Sequence, residues 1–133
     1  TNQEWATRSV FTVKQDVKLL NEHVVRATLI EPLRALVKKH DLASQKIDWF
    51  LPHISSKYFA EPVAKGLIEA GLNIPRENWF TNLVEKGNTG SASPFIMLDE
   101  LFHSGRIKKG QKLLMFVPES GRFSSGFIFL EAV

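Results

Sequence analysis

A histidine directly after an apolar run and a proline, Pro52-His53, is the first side chain in this sequence placed to do chemistry. The run before it, residues 47–51, reads as a buried strand. That sets His53 at the carboxyl edge of an open α/β sheet, where ligands usually bind. Asn88 is the second such side chain. In Gly87-Asn88-Thr89-Gly90 its carboxamide can donate a hydrogen bond to a carbonyl oxygen on which negative charge develops. The third feature is the bend Glu119-Ser120-Gly121-Arg122-Phe123, where a glycine permits close backbone approach and an amide N–H can face an oxyanion. Each also has a plain structural reading: a histidine packed after a strand, an Asn-Gly turn that tolerates left-handed backbone angles, and a hairpin loop. The remaining histidines, His23, His40 and His103, fall near helix ends, and no pair has the spacing of a helical zinc site. Phosphate-loop and dinucleotide spacings are absent. Asp99 and Glu100 are neighbours on a helix and face different ways, so they form no carboxylate pair.

Stepping along the chain gives the elements that must hold these groups. With 133 residues and 44% hydrophobic composition, a single domain over residues 1–133 with its own core is expected. No apolar run approaches the roughly 18 residues of a spanning helix, and the start, which lacks a methionine, does not read as a signal peptide. It suggests a processed or excised piece of a longer chain. The sequence has no cysteine, which removes disulfides, thiolate metal sites and thiol nucleophiles from these residues and fits a reducing compartment. The net charge of +3, with one basic cluster over 106–109, leans toward an acidic protein partner and gives no case for nucleic acid.

Residues 8–20 alternate loosely and read as a strand or two extended pieces. Residues 24–39 carry Val25, Leu29, Leu33, Leu36 and Val37 at helical spacing, with Pro32 either kinking the helix or restarting it. After the strand at 47–51, Ser55 or Ser56 can cap a helix with Phe59, Val63, Leu67 and Ala70 on its buried stripe. Pro62 bends that helix and Gly71 stops it. A helical turn at 75–78 leads to a short strand at 79–83. Ser93-Pro94 opens a helix whose buried side is Leu98, Leu101 and Phe102 and which Gly105 ends. Two apolar runs, 112–117 and 123–130, read as strands covered on both faces. The order predicts an α/β layered domain.

Taken together, Pro52-His53 after a strand, Gly87-Asn88-Thr89, the run from Leu98 through Leu-Asp-Glu-Leu-Phe-His-Ser-Gly-Arg-Ile-Lys-Lys-Gly to Gln111, and the final glycine-containing hairpin resemble the carboxyl half of 3-oxoacyl-acyl-carrier-protein synthase III. The resemblance is strong from Ile47 to the end and looser from Thr1 to Ala43. It implies half of a thiolase-like fold, a layered α/β/α arrangement with a mixed central sheet. It implies a Cys–His–Asn site in which His53 and Asn88 supply two members and an amino-terminal half, outside this chain, supplies the cysteine. That enzyme joins an acyl group to a malonyl thioester with loss of carbon dioxide. Acyl-CoA or acyl-ACP thioesters are the substrates, without a cofactor. Gly121 matches the glycine whose N–H completes an oxyanion hole, with Phe123 beside it in the substrate-binding hairpin.

Several positions depart from the family pattern. Ile54-Ser55-Ser56 stands where Gln-Ala-Asn is usual. Tyr58 replaces a carrier-docking arginine, leaving Lys57 as a substitute point charge. Ser120-Gly121-Arg122 replaces three glycines, and Glu119 an apolar residue. These changes point to a specialised relative in lipid or polyketide-like synthesis. The implied partners are the missing half, acyl carrier protein and a second copy in a homodimer, in the cytoplasm, with no membrane. The chain by itself is expected to be inactive and, with the helix from Ser93 uncovered, to self-associate. A non-catalytic carrier-binding or dimerisation module descended from the enzyme is the second expectation, and an unrelated structural α/β domain the third.

Overall fold

The computed structural model describes Gln3 and residues 15–133. Its sheet has three strands in the order β1-β2-β3. Strand β1 (Trp49–Pro52) runs parallel to β2 (Lys112–Glu119), and β2 pairs antiparallel with β3 (Ser124–Glu131). Side chains alternate across a strand, and here each face meets its own helices. Phe50, Leu114 and Phe116 enter a core with Leu29, Leu33, Val63 and Leu67. The intervening Trp49, Leu51, Leu113 and Met115 enter a second core with Met97 and Leu101. Burial on both faces removes any reason for polar alternation, so β1 and the middle of β2 are continuously apolar. This is the mixed sheet between helical layers expected for half of a thiolase-like fold. Strand β3 departs from expectation. It forms the edge of the sheet among the described residues, and it alternates between half-buried and exposed, with Phe129 38% exposed.

The first layer begins with α1 (Val17–Val25), passes through a wide π turn (Arg26–Ile30) and continues as α2 (Glu31–His40). Asp16 caps α1 by accepting the Leu19 N–H at 2.9 Å, so residues 17–20 are helical where a strand was expected. An N-cap aspartate outweighs a short alternation; residues 8–14 of that reading lie outside the described residues. Pro32 sits in the first turn of α2, and the Glu31 N–H reaches back to the Arg26 carbonyl. A proline cannot donate to the preceding turn and crowds its carbonyl. The helix answers with one wide turn and then restarts.

Helix α3 (Ala60–Glu69) packs against that turn through Gly66. It begins after a 3-10 turn at Lys57–Phe59, and neither Ser55 nor Ser56 caps it with a side chain. Pro62 therefore falls in the first helical turn, where no N–H is needed, rather than inside the helix. Gly71, at φ +95°, ends the helix as expected, with the Leu72 N–H returning to the Leu67 carbonyl at 2.9 Å. The expected strand at 79–83 reduces to one bridge, Trp79 beside Phe50, because α4 (Leu83–Lys86) starts immediately after. Helix α5 (Ser93–His103) covers the second face through Met97 and Leu101, which are 1% and 0% exposed. Phe102, expected on that buried side, is 67% exposed, and Phe95 on the same helix is 52% exposed. One helical step from Leu101 carries Phe102 off the sheet-facing stripe.

Candidate active site

Strands β1 and β2 are parallel, so their carboxyl ends meet at one edge of the sheet. His53 follows β1 at that edge, and its backbone N–H donates to the Phe116 carbonyl at 2.9 Å. Pro118 and Ser120 come off the same end of β2. The helices roof this edge to leave a cavity of about 350 Å³. His53, Ile54, Ser55, Asn88, Pro118 and Ser120 line it on the sheet side. Apolar residues of α1 and the π turn, among them Leu20, Val24 and Leu29, line the other. The cavity is a half-apolar slot with a few converging polar groups, as small-molecule sites commonly are.

His53 is buried, 8% exposed. Its Nδ1 is buried with no hydrogen-bond partner among the described residues, which in a native site calls for an explanation. Burial pushes the imidazole pKa below the ordinary histidine value, so the ring stays neutral near pH 7 and can donate through one nitrogen without carrying charge. Asn88 is exposed in its loop but borders the same cavity. Its Oδ1 accepts the Gly90 N–H at 3.1 Å. That is the turn geometry of the plain reading, yet it also fixes the carboxamide so that its NH₂ is the group left to donate. Gly87 and Gly90 have φ of +74° and +61°, angles that suit glycine and carry the chain sharply around Asn88.

Gly121 and Phe123 are placed differently. Neither lines the cavity, although Pro118 and Ser120 of the same hairpin do. The Gly121 N–H donates to Oε1 of Glu119 and the Arg122 N–H to Oε2, at 2.5 and 2.9 Å. These two amides hold the Glu119 carboxyl below the usual carboxylate range. The amide expected to face an oxyanion thus already holds a carboxylate. Phe123 adopts φ +50°. Lys57 is exposed and Tyr58 is 62% exposed, on the turn between the cavity residues Ser55 and Phe59. Tyr58 stands edge-on to Phe59 at 5.2 Å between ring centroids.

Sequence reasoning missed the roof. Val24, Val25 and Leu29 read as ordinary core at helical spacing, while Gln15 and Leu20 belonged to an expected strand. Pro32 was the available signal, since a proline inside a helical pattern marks a local widening, and such turns often lie at functional sites. Among the described residues no group of His, Asp and Glu could hold a metal ion, and no helix is long and apolar enough to cross a membrane.

The family model of 3-oxoacyl-[acyl-carrier-protein] synthase III C terminal matches residues 37–129. A beta-ketoacyl-[acyl-carrier-protein] synthase III of Hyphomonas neptunium is 31% identical over 121 residues, covering 91% of this chain and 35% of that protein. The same-named protein of Coxiella burnetii is 34% identical over 80 residues, with 60% of this chain and 24% of the relative covered. The chain therefore spans between 24% and 35% of the length of these relatives. The crystal structure of 3-oxoacyl-[acyl-carrier-protein] synthase III from Aquifex aeolicus superposes with a TM-score of 0.70 at 25% identity, over 90% of this chain and 36% of that one.

Proposed function

Because the chain belongs to the 3-oxoacyl-[acyl-carrier-protein] synthase III C-terminal family, we propose that it is the condensing half of a decarboxylating acyltransferase. In this reading it forms one unit over residues 1–133 and works with an amino-terminal half that brings the nucleophilic cysteine. The observation that carries the reading is that His53 and Asn88 line one cavity. A malonyl thioester seated there directs its carbonyl oxygen at these two donors. Loss of carbon dioxide leaves its electron pair on the α-carbon as an enolate, and two neutral donors stabilise that charge without abstracting a proton. The carbanion attacks the acyl group held as a thioester on the cysteine of the other half, forming the carbon–carbon bond and releasing the thiolate. The electrons stay with the substrate carbons throughout, so the reaction uses acyl-CoA or acyl-ACP thioesters and no redox cofactor. Lys57 and Tyr58 sit where an acidic carrier protein delivers its arm, and a homodimer in the cytoplasm completes the assembly.

The test weighs the intact cysteine-bearing protein after incubation with acyl thioesters. An acyl-sized mass gain is expected there and none on this chain alone. His53→Ala and Asn88→Ala are expected to keep the adduct while losing malonyl decarboxylation. No adduct with any thioester overturns the reading. One observation favours the alternative of a non-catalytic carrier-binding or dimerisation module: Glu119 already occupies the Gly121 N–H. A full-length protein without the cysteine decides for that alternative.

A further inference from the structure

Helix α4, the four residues Leu83–Lys86 just before Gly87 and Asn88, buries none of its residues. Val84 on it is 70% exposed. A helix this short does not sustain itself, and its packing is limited to a partly buried Leu83 against the first core. Asn88 hydrogen-bonds only within its own turn among the described residues. That bond orients the carboxamide within its own turn, and the turn itself must still be placed relative to His53. The carboxylate of Glu100 spans α4 from end to end. Oε2 accepts the side-chain N–H of Asn82 at 2.7 Å, and Oε1 takes the ammonium of Lys86 at 3.0 Å. Asn82 is 5% exposed, and its backbone carbonyl accepts the Lys86 N–H at 2.9 Å, closing the ring of contacts. Glu100 is only partly exposed. The Asn82 bond first, then Lys86, hold its carboxyl below the ordinary carboxylate range. Its neighbour on α5, Leu101, is wholly buried against the face of β1 that includes Trp49 and Leu51. Strand β1 is also the strand that His53 follows.

We infer that Glu100 is a positioning residue for Asn88, tying the loop that carries the carboxamide to the same packed frame that carries His53. The inference rests on the proposed role of Asn88 and adds to it a residue that touches no part of the cavity. Two donors that must meet one oxygen need a common reference. A loop hinged on glycines is a soft reference, and a carboxylate on α5 stiffens it.

The test uses the intact cysteine-bearing enzyme and two variants, Glu100→Gln and the exposed-site variant Lys86→Met, which leaves the core untouched. Acyl transfer to the cysteine is expected to be unchanged in both, while malonyl decarboxylation falls about tenfold in Glu100→Gln and less in Lys86→Met. In an Asn88→Ala background, Glu100→Gln is expected to change decarboxylation less than about twofold, since the positioned group is gone. Amide relaxation of residues 87–90 gives a readout free of catalysis, and these amides are expected to gain motion in both variants. Equal losses in acylation and decarboxylation, full additivity with Asn88→Ala, or an unmoved loop overturns the inference. Intact decarboxylation in Asn88→Ala with a loosened loop in Glu100→Gln strikes instead at the role of Asn88, and leaves the positioning contact standing.

Discussion

Gly66→Ala tests whether the roof of the cavity is set by the contact between α3 and the π turn. A Cβ on residue 66 would lie 2.9 Å from Cδ2 of Leu29, 3.2 Å from Cγ1 of Ile30 and 3.2 Å from Cγ1 of Val25. The first distance is shorter than packed carbons tolerate, so Leu29, which is 0% exposed, must move. Alanine in mid-helix brings back about 0.5–1 kcal/mol of backbone entropy relative to glycine, whereas one methyl forced into a filled core costs about 1–3 kcal/mol. The atoms met are ends of side chains rather than backbone, and Val25 and Leu29 border the cavity, which gives them room to turn. Relief in that direction puts the strain near the low end of its range. The net expectation is a small loss, up to about 0.5 kcal/mol, and a smaller cavity. Urea unfolding followed by tryptophan fluorescence measures the first through a lower midpoint at unchanged slope. Weaker thioester binding by the intact enzyme, seen as a raised KM at near-constant kcat, measures the second. A midpoint that rises by the helix-propensity gain alone would refute the close-contact argument.

Two further expectations concern titration. Burial pushes the His53 pKa down, so on acidification the unfolded chain binds this proton before the folded chain does. Stability then falls as pH drops below the ordinary histidine value of about 6.5. Unfolding midpoints over this range should decline less steeply in His53→Gln, and equal slopes in the two proteins would exclude a neutral buried ring. At the hairpin, the Gly121 and Arg122 amide resonances should titrate together with the Glu119 carboxyl, at a midpoint below the usual carboxylate range. Glu119→Gln should abolish that titration. Shifts that ignore pH in the original protein would mean that the carboxylate does not hold the hairpin in solution.

Much of the layered fold was legible because burial on two faces leaves a one-dimensional trace. The apolar runs at β1 and β2 could belong only to covered strands, and Gly71 and Gly105 marked helix ends through the left-handed angles they adopt. Errors fell where a local signal competed with another. The alternation before Leu20 gave way to the Asp16 cap, and the apolar residues at 79–83 gave way to a polar clamp at Asn82. Phe102 looked buried because apolar character alone does not say which helical face meets the sheet.

His53 and Asn88 were chosen from the sequence by residue type and by their places after a strand and between glycines, and these local features fix the backbone at each. Their sharing of one cavity depends on the parallel pairing of β1 with β2 and on the roof from α1 and the π turn, contacts between segments far apart along the chain. The same holds for Glu100 and Glu119. As a sequence, each is one acid among 14. Only the folded chain brings Asn82 and Lys86 to one carboxylate and two hairpin amides to the other, because hydrogen bonds act over a few ångströms of space.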